Sequence, residues 1–299
     1  MRPLYLLGIL LMFASPQPSQ ASSDALNVAV TIKPLHSLVA GIMKGAGEPE
    51  LIMASGASPH HYTLRPSERR ILSRASLIFW IGPELESFMP KILDSLAATS
   101  TNIPLIDAEN LLRLPARSIH HHSETEAEEH AHADPHIWLS AKNAHALVDA
   151  IADELIRQHA AQAQIYEANR RRLHRRIEVI DQLIDHRLSG KTAPFLSYHD
   201  AYQYFERAYG LNNAGFVSSG DEVSPGARYV NELRNRIRDE QLHCLFYEAP
   251  SRPALVDTLI HGLNVSALEI DALGVRLEAG ENAWFEIMLG LTEAYESCL

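Results

Sequence analysis

Cysteine is nearly missing: Cys244 and Cys298 are the only two in 299 residues. So few thiols exclude a disulfide-dense scaffold and a multi-thiolate metal cluster. Beyond the first residues no apolar run is long enough to cross a bilayer. Basic residues are in the minority, 26 Lys and Arg against 37 Asp and Glu, for a net charge of −11. That balance argues against nucleic acid as a partner and suits a soluble protein that handles cations. Residues 141–189 contain neither glycine nor proline, which excludes a loop-rich middle. No HExxH motif occurs, and nothing marks a nucleophile beside its base.

The first residues read as a secretory signal. Arg2 precedes an apolar core at residues 4–14, and Ser19-Gln20-Ala21 suits signal peptidase. Residues 1–21 are therefore expected to be removed, leaving a soluble, extracytoplasmic chain that begins near Ser22. In an oxidising compartment the two cysteines most simply form one disulfide, with a two-thiol metal pair as the alternative.

Histidine is abundant where cysteine is not. Residues 118–138 read SIHHHSETEAEEHAHADPHIW, with His120, His121, His122, His130, His132 and His136 set among Glu124, Glu126, Glu128, Glu129 and Asp134. Neutral imidazoles are preferred ligands for zinc, copper and nickel, and an acidic tract attracts the cation. Without apolar periodicity the stretch is expected as a loop, residues 118–135, offering auxiliary metal ligands.

Short β-rich runs alternate with helical patterns in two series. Residues 26–33, 50–55 and 77–82 form the first, and residues 194–198, 214–218, 242–248 and 265–271 the second. Such alternation predicts an α/β fold of two lobes, each a parallel four-stranded sheet covered by helices. Between them Leu173, Ile177, Ile180 and Ile184 recur at helical spacing, and Gly190 is a plausible stop. One helix over all of 141–189 would exceed ~70 Å. Two helices broken around residues 158–164 are expected instead, the second spanning both lobes. The resulting division is an N-terminal lobe at 22–140, connecting helices at 141–190 and a C-terminal lobe at 191–299.

Three histidines have suggestive surroundings: His60 in GASPHHYTLRPS, His136 in DPHIWLS ahead of a helix that Ser140 could cap, and His199 in SYHDAYQYF. His60 and His199 follow predicted strands, and open α/β sheets bind ligands beyond the carboxyl ends of their strands. Asp271 ends the last predicted strand, in EIDALG, placed to join them. Three imidazoles and a carboxylate make a near-tetrahedral site for a borderline metal in the cleft between the lobes.

GASPHHYTLRPS, PHIWLS and FLSYHDAYQYFERAYGL, in this order and with the histidine-rich insertion before PHIW, resemble the periplasmic zinc-binding components of bacterial high-affinity zinc importers. These form part of the metal-binding group of ABC-transporter solute-binding proteins, and the resemblance covers the mature chain. It implies two α/β lobes joined by a long helix, Zn²⁺ as cargo, a monomer, and an inner-membrane ABC permease as partner. Its metal-binding histidines fall on His60, His136 and His199. The fourth position is Asp271, with water or His61 as alternatives: some relatives carry a glutamate before the first histidine, where this chain has Pro59, and others a strand-end aspartate, matched here by Ile270-Asp271-Ala272. The resemblance also implies a disulfide between Cys244 and Cys298. Glu248 and Asp200 are read as supporting residues, Asp200 anchoring a ligand ring, with His61 turned away and His36 structural.

Ligand softness selects among metals. Manganese favours carboxylates, whereas three histidines with at most one carboxylate favour zinc. The competing classes are a manganese-binding relative and a zinc hydrolase, the latter unsupported by any general base in the sequence. The expectation is a non-enzymatic zinc carrier.

Overall fold

The computed structural model describes residues 26–54, 56–96, 100–117, 133–218, 225–250 and 252–299. The expected signal at 1–21 lies outside these residues, as do His120, His121, His122, His130 and His132.

The first lobe begins with β1 (Val28–Val30), α1 (Lys33–Met43) and β2 (Glu50–Leu51), followed by α2 (Pro66–Arg74), β3 (Leu77–Trp80), α3 (Met89–Leu93) and β4 (Thr101–Pro104). Its sheet order is β2-β1-β3-β4, with every pair parallel. Central β1 and β3 are buried along their whole length, as strands covered on both faces must be.

After the connecting helices α4 (Ala141–Gln158) and α5 (Ala163–Leu188), the second lobe repeats the plan. β5 (Phe195–His199), α6 (Gln203–Ala208), β6 (Asn213–Ser218), α7 (Ala227–Asp239), β7 (Cys244–Glu248), α8 (Ala254–Ile260) and β8 (Ser266–Ile270) give the order β6-β5-β7-β8, again all parallel. Both sheets thus reverse direction between their first and third strands, the switch point where open α/β sheets bind ligands.

The predicted strands are found, generally shorter than the apolar runs that announced them, and β4 is an addition. Residues 50–55 contribute only Glu50 and Leu51 to the sheet. The extended run 26–33 is cut at Val30 because Lys33 already opens α1, with Pro34 in its first turn. The helical break falls where expected: α4 ends at Gln158 and a 3₁₀ turn at Ala160–Gln162 precedes α5. Ser140 caps α4, its Oγ accepting the Asn143 amide at 3.2 Å. The stripe Leu173, Ile177, Ile180 and Ile184 is buried, and Gly190 takes φ +79° just past the end of α5.

One core cluster spans both lobes, and a second lies between the C-terminal sheet and α7 and α8. The last helix, α9 (Ala283–Cys298), packs on both α1 and α5. Trp138 Nε1 donates to the Ala272 carbonyl and Trp284 Nε1 to the Trp138 carbonyl, each at 2.8 Å. The Cys244–Cys298 disulfide joins the start of β7 to the end of α9.

Candidate metal centre

His60 sits in a 3₁₀ turn, Pro59–His61, beyond the end of β2. Buried Pro59 and a bond from Ser87 Oγ to the His60 carbonyl at 3.2 Å hold that turn. His136 precedes a second 3₁₀ turn, Ile137–Leu139, and leads into α4. Its approach is pinned from the other lobe: Tyr204 Oη donates to the Asp134 carbonyl at 2.9 Å. His199 is the last residue of β5, next to the switch point formed with β7.

These three histidines converge. One ligand atom from each lies within 4.8 Å of the others, and their ring centroids are 5.2–5.5 Å apart. They line a cavity of about 160 Å³ between the lobes, with Trp138, Glu248 and Asp271 also on its wall.

Two carboxylates set the orientation of two rings. Asp134 Oδ1 lies 2.8 Å from His136 Nδ1 and also accepts the His136 amide at 2.9 Å. Glu248 Oε2 lies 2.8 Å from His199 Nδ1, while Oε1 accepts from Tyr202 Oη at 3.2 Å. An ionised carboxylate can only accept, so each fixes the N–H at Nδ1 and leaves Nε2 as a bare donor atom. The Nε2 atoms of His60 and His199 are buried and have no hydrogen-bond partner. Buried unsatisfied nitrogens aimed into a shared cavity are costly unless something binds them.

Electrostatics keep the group ready for a cation. Burial, with the neighbouring His136 and His199, pushes the His60 pKa down to about 3, so its ring stays neutral. Burial also lowers that of His199, but the Glu248 charge and hydrogen bond outweigh it and the net shift is upward. Glu248 is drawn down to about 2: burial opposes ionisation, and His199 overcomes it.

The other expected residues divide. Asp271 follows β8 and lines the cavity, but its Oδ1 accepts the Leu273 amide at 3.1 Å and it is not among the converging three. His61 is exposed. His36 is buried, its Nε2 3.0 Å from the Pro49 carbonyl, consistent with a structural role. Asp200 does not anchor His199. Its carboxylate faces away into Arg117, which also reaches Glu206 at 2.9 Å; the anchor is Glu248, which arrives from the adjacent strand. The anchoring role of Asp134 was legible only as Asp-Pro-His, a carboxylate two residues before a ligand candidate with a proline to stiffen the turn.

Residues 28–298 match the family described as zinc-uptake complex component A, periplasmic. The chain belongs to that family. It is 30% identical over 313 residues to the high-affinity zinc uptake system protein ZnuA of Brucella abortus, covering 94% of each chain. A ZnuA crystal structure superposes with a TM-score of 0.76 at 21% identity, covering 91% of this chain and all of that one. FpvC of Pseudomonas aeruginosa, solved with Mn²⁺, gives a TM-score of 0.78 at 18% identity, covering 91% and 98%. Solute-binding proteins of this family are therefore the frame for the cleft.

Proposed function

We propose that this protein captures Zn²⁺ outside the cytoplasm through His60, His136 and His199 and delivers it, as a monomer, to the inner-membrane permease of an ABC importer. The carrying observation is the pair of buried, unpartnered Nε2 atoms on His60 and His199, in a group with His136 whose ligand atoms all lie within 4.8 Å of one another. A donor set of three imidazoles favours a borderline cation over manganese. Asp271 supplies the fourth ligand by swinging from the Leu273 amide onto the ion. Family membership and relatives named for zinc uptake support the importer role.

The site performs binding without catalysis. Asp134 and Glu248, the carboxylates beside the imidazoles, are committed to holding rings and are not poised over a bound water. The auxiliary ligands His120, His121, His122, His130 and His132 take up further zinc with lower affinity. Their segment springs from a β-bridge between Pro115 and Ala133, one residue before Asp134.

Chelator competition with Zn²⁺ and Mn²⁺ on the mature protein tests this reading. One tight zinc equivalent, poorly matched by manganese and lost in each of His60→Ala, His136→Ala and His199→Ala, is the expected result. Tight binding indifferent to those changes would remove the cleft from consideration. Asp271→Ala weakens the site severalfold if the carboxylate ligates and leaves it unchanged if water holds that position.

A further inference from the structure

Two short stretches, 114–117 and 133–134, flank the histidine-rich segment, and they are paired with each other and docked on the second lobe. Pro115 and Ala133 form an antiparallel bridge, and the Asp134 amide donates to the Leu114 carbonyl at 2.8 Å. One hydroxyl from α6 closes the pair: buried Tyr204 accepts the Leu114 amide at 3.0 Å and donates to the Asp134 carbonyl at 2.9 Å. Gln203, with its amide turned to donate, reaches Asp134 Oδ2 at 3.1 Å and the Pro115 carbonyl at 3.2 Å.

Arg117, at the end of the first stretch, adds a charged contact. Its Nε lies 2.9 and 3.0 Å from the two carboxylate oxygens of Asp200, and a terminal nitrogen reaches Glu206 Oε2 at 2.9 Å. Its Cζ lies 5.6 Å from the centre of the Phe216 ring on β6. Asp200 and Glu206 are both buried, and ionised carboxylates are buried only when paired. A planar guanidinium serves two of them at once, in a fixed geometry that a lysine ammonium would not impose.

These bonds end beside cleft histidines. Asp134 holds the His136 ring and lies two residues before it, and Asp200 directly follows His199. His136 comes from the first lobe and His199 from the second, so the contacts run from one wall of the cleft to the other. Arg117, Gln203 and Tyr204 are set back from the cavity wall. The paired stretches belong to neither sheet, so they are placed to set ligand spacing rather than to complete a lobe.

We propose that Arg117 and Tyr204 are positioning residues for metal binding, latching the approach to His136 onto the strand end that carries His199. The inference rests on the three-histidine reading of the cleft. Imidazoles from two lobes meet on one ion only if their supports hold a fixed separation, and a support about 1 Å too loose degrades a site. The core cluster that spans both lobes sets the separation of the sheets. The latch sets the last step, from the paired stretches and α6 to the two rings. Without it His136 and His199 keep their own carboxylates, Asp134 and Glu248, but lose the bonds that hold one ring against the other.

The test compares mature wild type with Arg117→Met and Tyr204→Phe by chelator competition for Zn²⁺, alongside urea unfolding of each metal-free form. Tyr204→Phe keeps the buried ring and removes only the hydroxyl that bridges Leu114 and Asp134. Severalfold weaker zinc binding is expected in both variants, as for other groups that orient ligands without touching the metal. With one equivalent of Co²⁺ the visible d–d bands should also lose intensity, as the site departs from tetrahedral geometry. A residue that only braces the fold would lower urea stability and leave both of these readouts alone. Unchanged zinc affinity and Co²⁺ spectrum in the folded variants would overturn the latch and leave the three-histidine site standing. No tight zinc binding by the wild type would instead overturn that site, and the latch with it. Should Arg117→Met fail to fold with two carboxylates left unpaired, Tyr204→Phe decides.

Discussion

Glu248 holds His199 by one ring nitrogen, and its charge is also what lifts the pKa of that histidine against the effect of burial. The two roles separate in Glu248→Gln. Loss of a carboxylate behind a metal-ligating histidine costs about 10–100-fold in metal affinity, and chelator competition at neutral pH should show a loss in that range. The pH dependence shifts in the opposite sense. Metal requires a neutral ring, so acid releases zinc as pH falls through the pKa of the most basic ligand. His60, held down to about 3, does not compete; His199, raised, does. Removing the charge that raises His199 should therefore move the acid limb of the binding curve to lower pH, although overall binding is weaker. A titration from about pH 8 to about pH 5 reads both effects. An acid limb unmoved in the variant would place the competing proton on another ligand. At this scale three of the four predicted cleft ligands converge as the sequence suggested. Their anchors were harder to see, because Glu248 meets His199 only through the pairing of β5 with β7.

Element by element, legibility followed burial. Runs such as LIFW at β3 are apolar because both faces of a parallel strand are covered, and they read directly from sequence. β4 escaped because Thr101, Asn102, Ile103 and Pro104 form an edge strand paired on one side, partly exposed, with a proline at its end. The heptad-like stripe of α5 was visible because its buried residues recur every third or fourth position. At the other end of the molecule, the apolar face of α9 gave no hint that it would pack on α1 as well as α5. Its end is fixed covalently through Cys298, whose partner lies 54 residues earlier at the start of β7. Closing a loop of that length restricts the unfolded chain by about 4 kcal/mol on chain entropy alone. Replacing both cysteines with serine should lower urea stability by roughly 2–4 kcal/mol. Zinc affinity should persist, since neither sulfur reaches the cleft. Unchanged stability would mean that α9 is held by packing alone.

For the molecule as a whole, the three imidazoles are contributed from both sides of the cleft, yet the lobes are not free to swing. A hydrophobic core runs from the first sheet through α1, α4, α5 and α9 onto one face of the second sheet, whose other face packs a separate cluster with α7 and α8. Lys33, at the start of α1, donates to the carbonyls of Gly274, Val275 and Leu277 beyond β8. The backbone of Trp284 is bonded to Ser37 Oγ at 3.0 Å, tying α9 to α1. Opening the cleft by a hinge would expose these polar groups and split a packed interior, at a cost far above what a thermal fluctuation supplies. Metal entry must instead be accommodated by small adjustments of the segments at the cavity wall: the 3₁₀ turn at Pro59–His61, the approach to His136, and the segment after β8. Small-angle scattering should therefore give a radius of gyration of about 19 Å both with and without zinc. Hydrogen exchange should slow on zinc addition in those three segments and stay unchanged in α5. A clear contraction of the particle on zinc binding, or new protection spread along α5, would show that the lobes do rotate and that the shared core yields more readily than its packing implies.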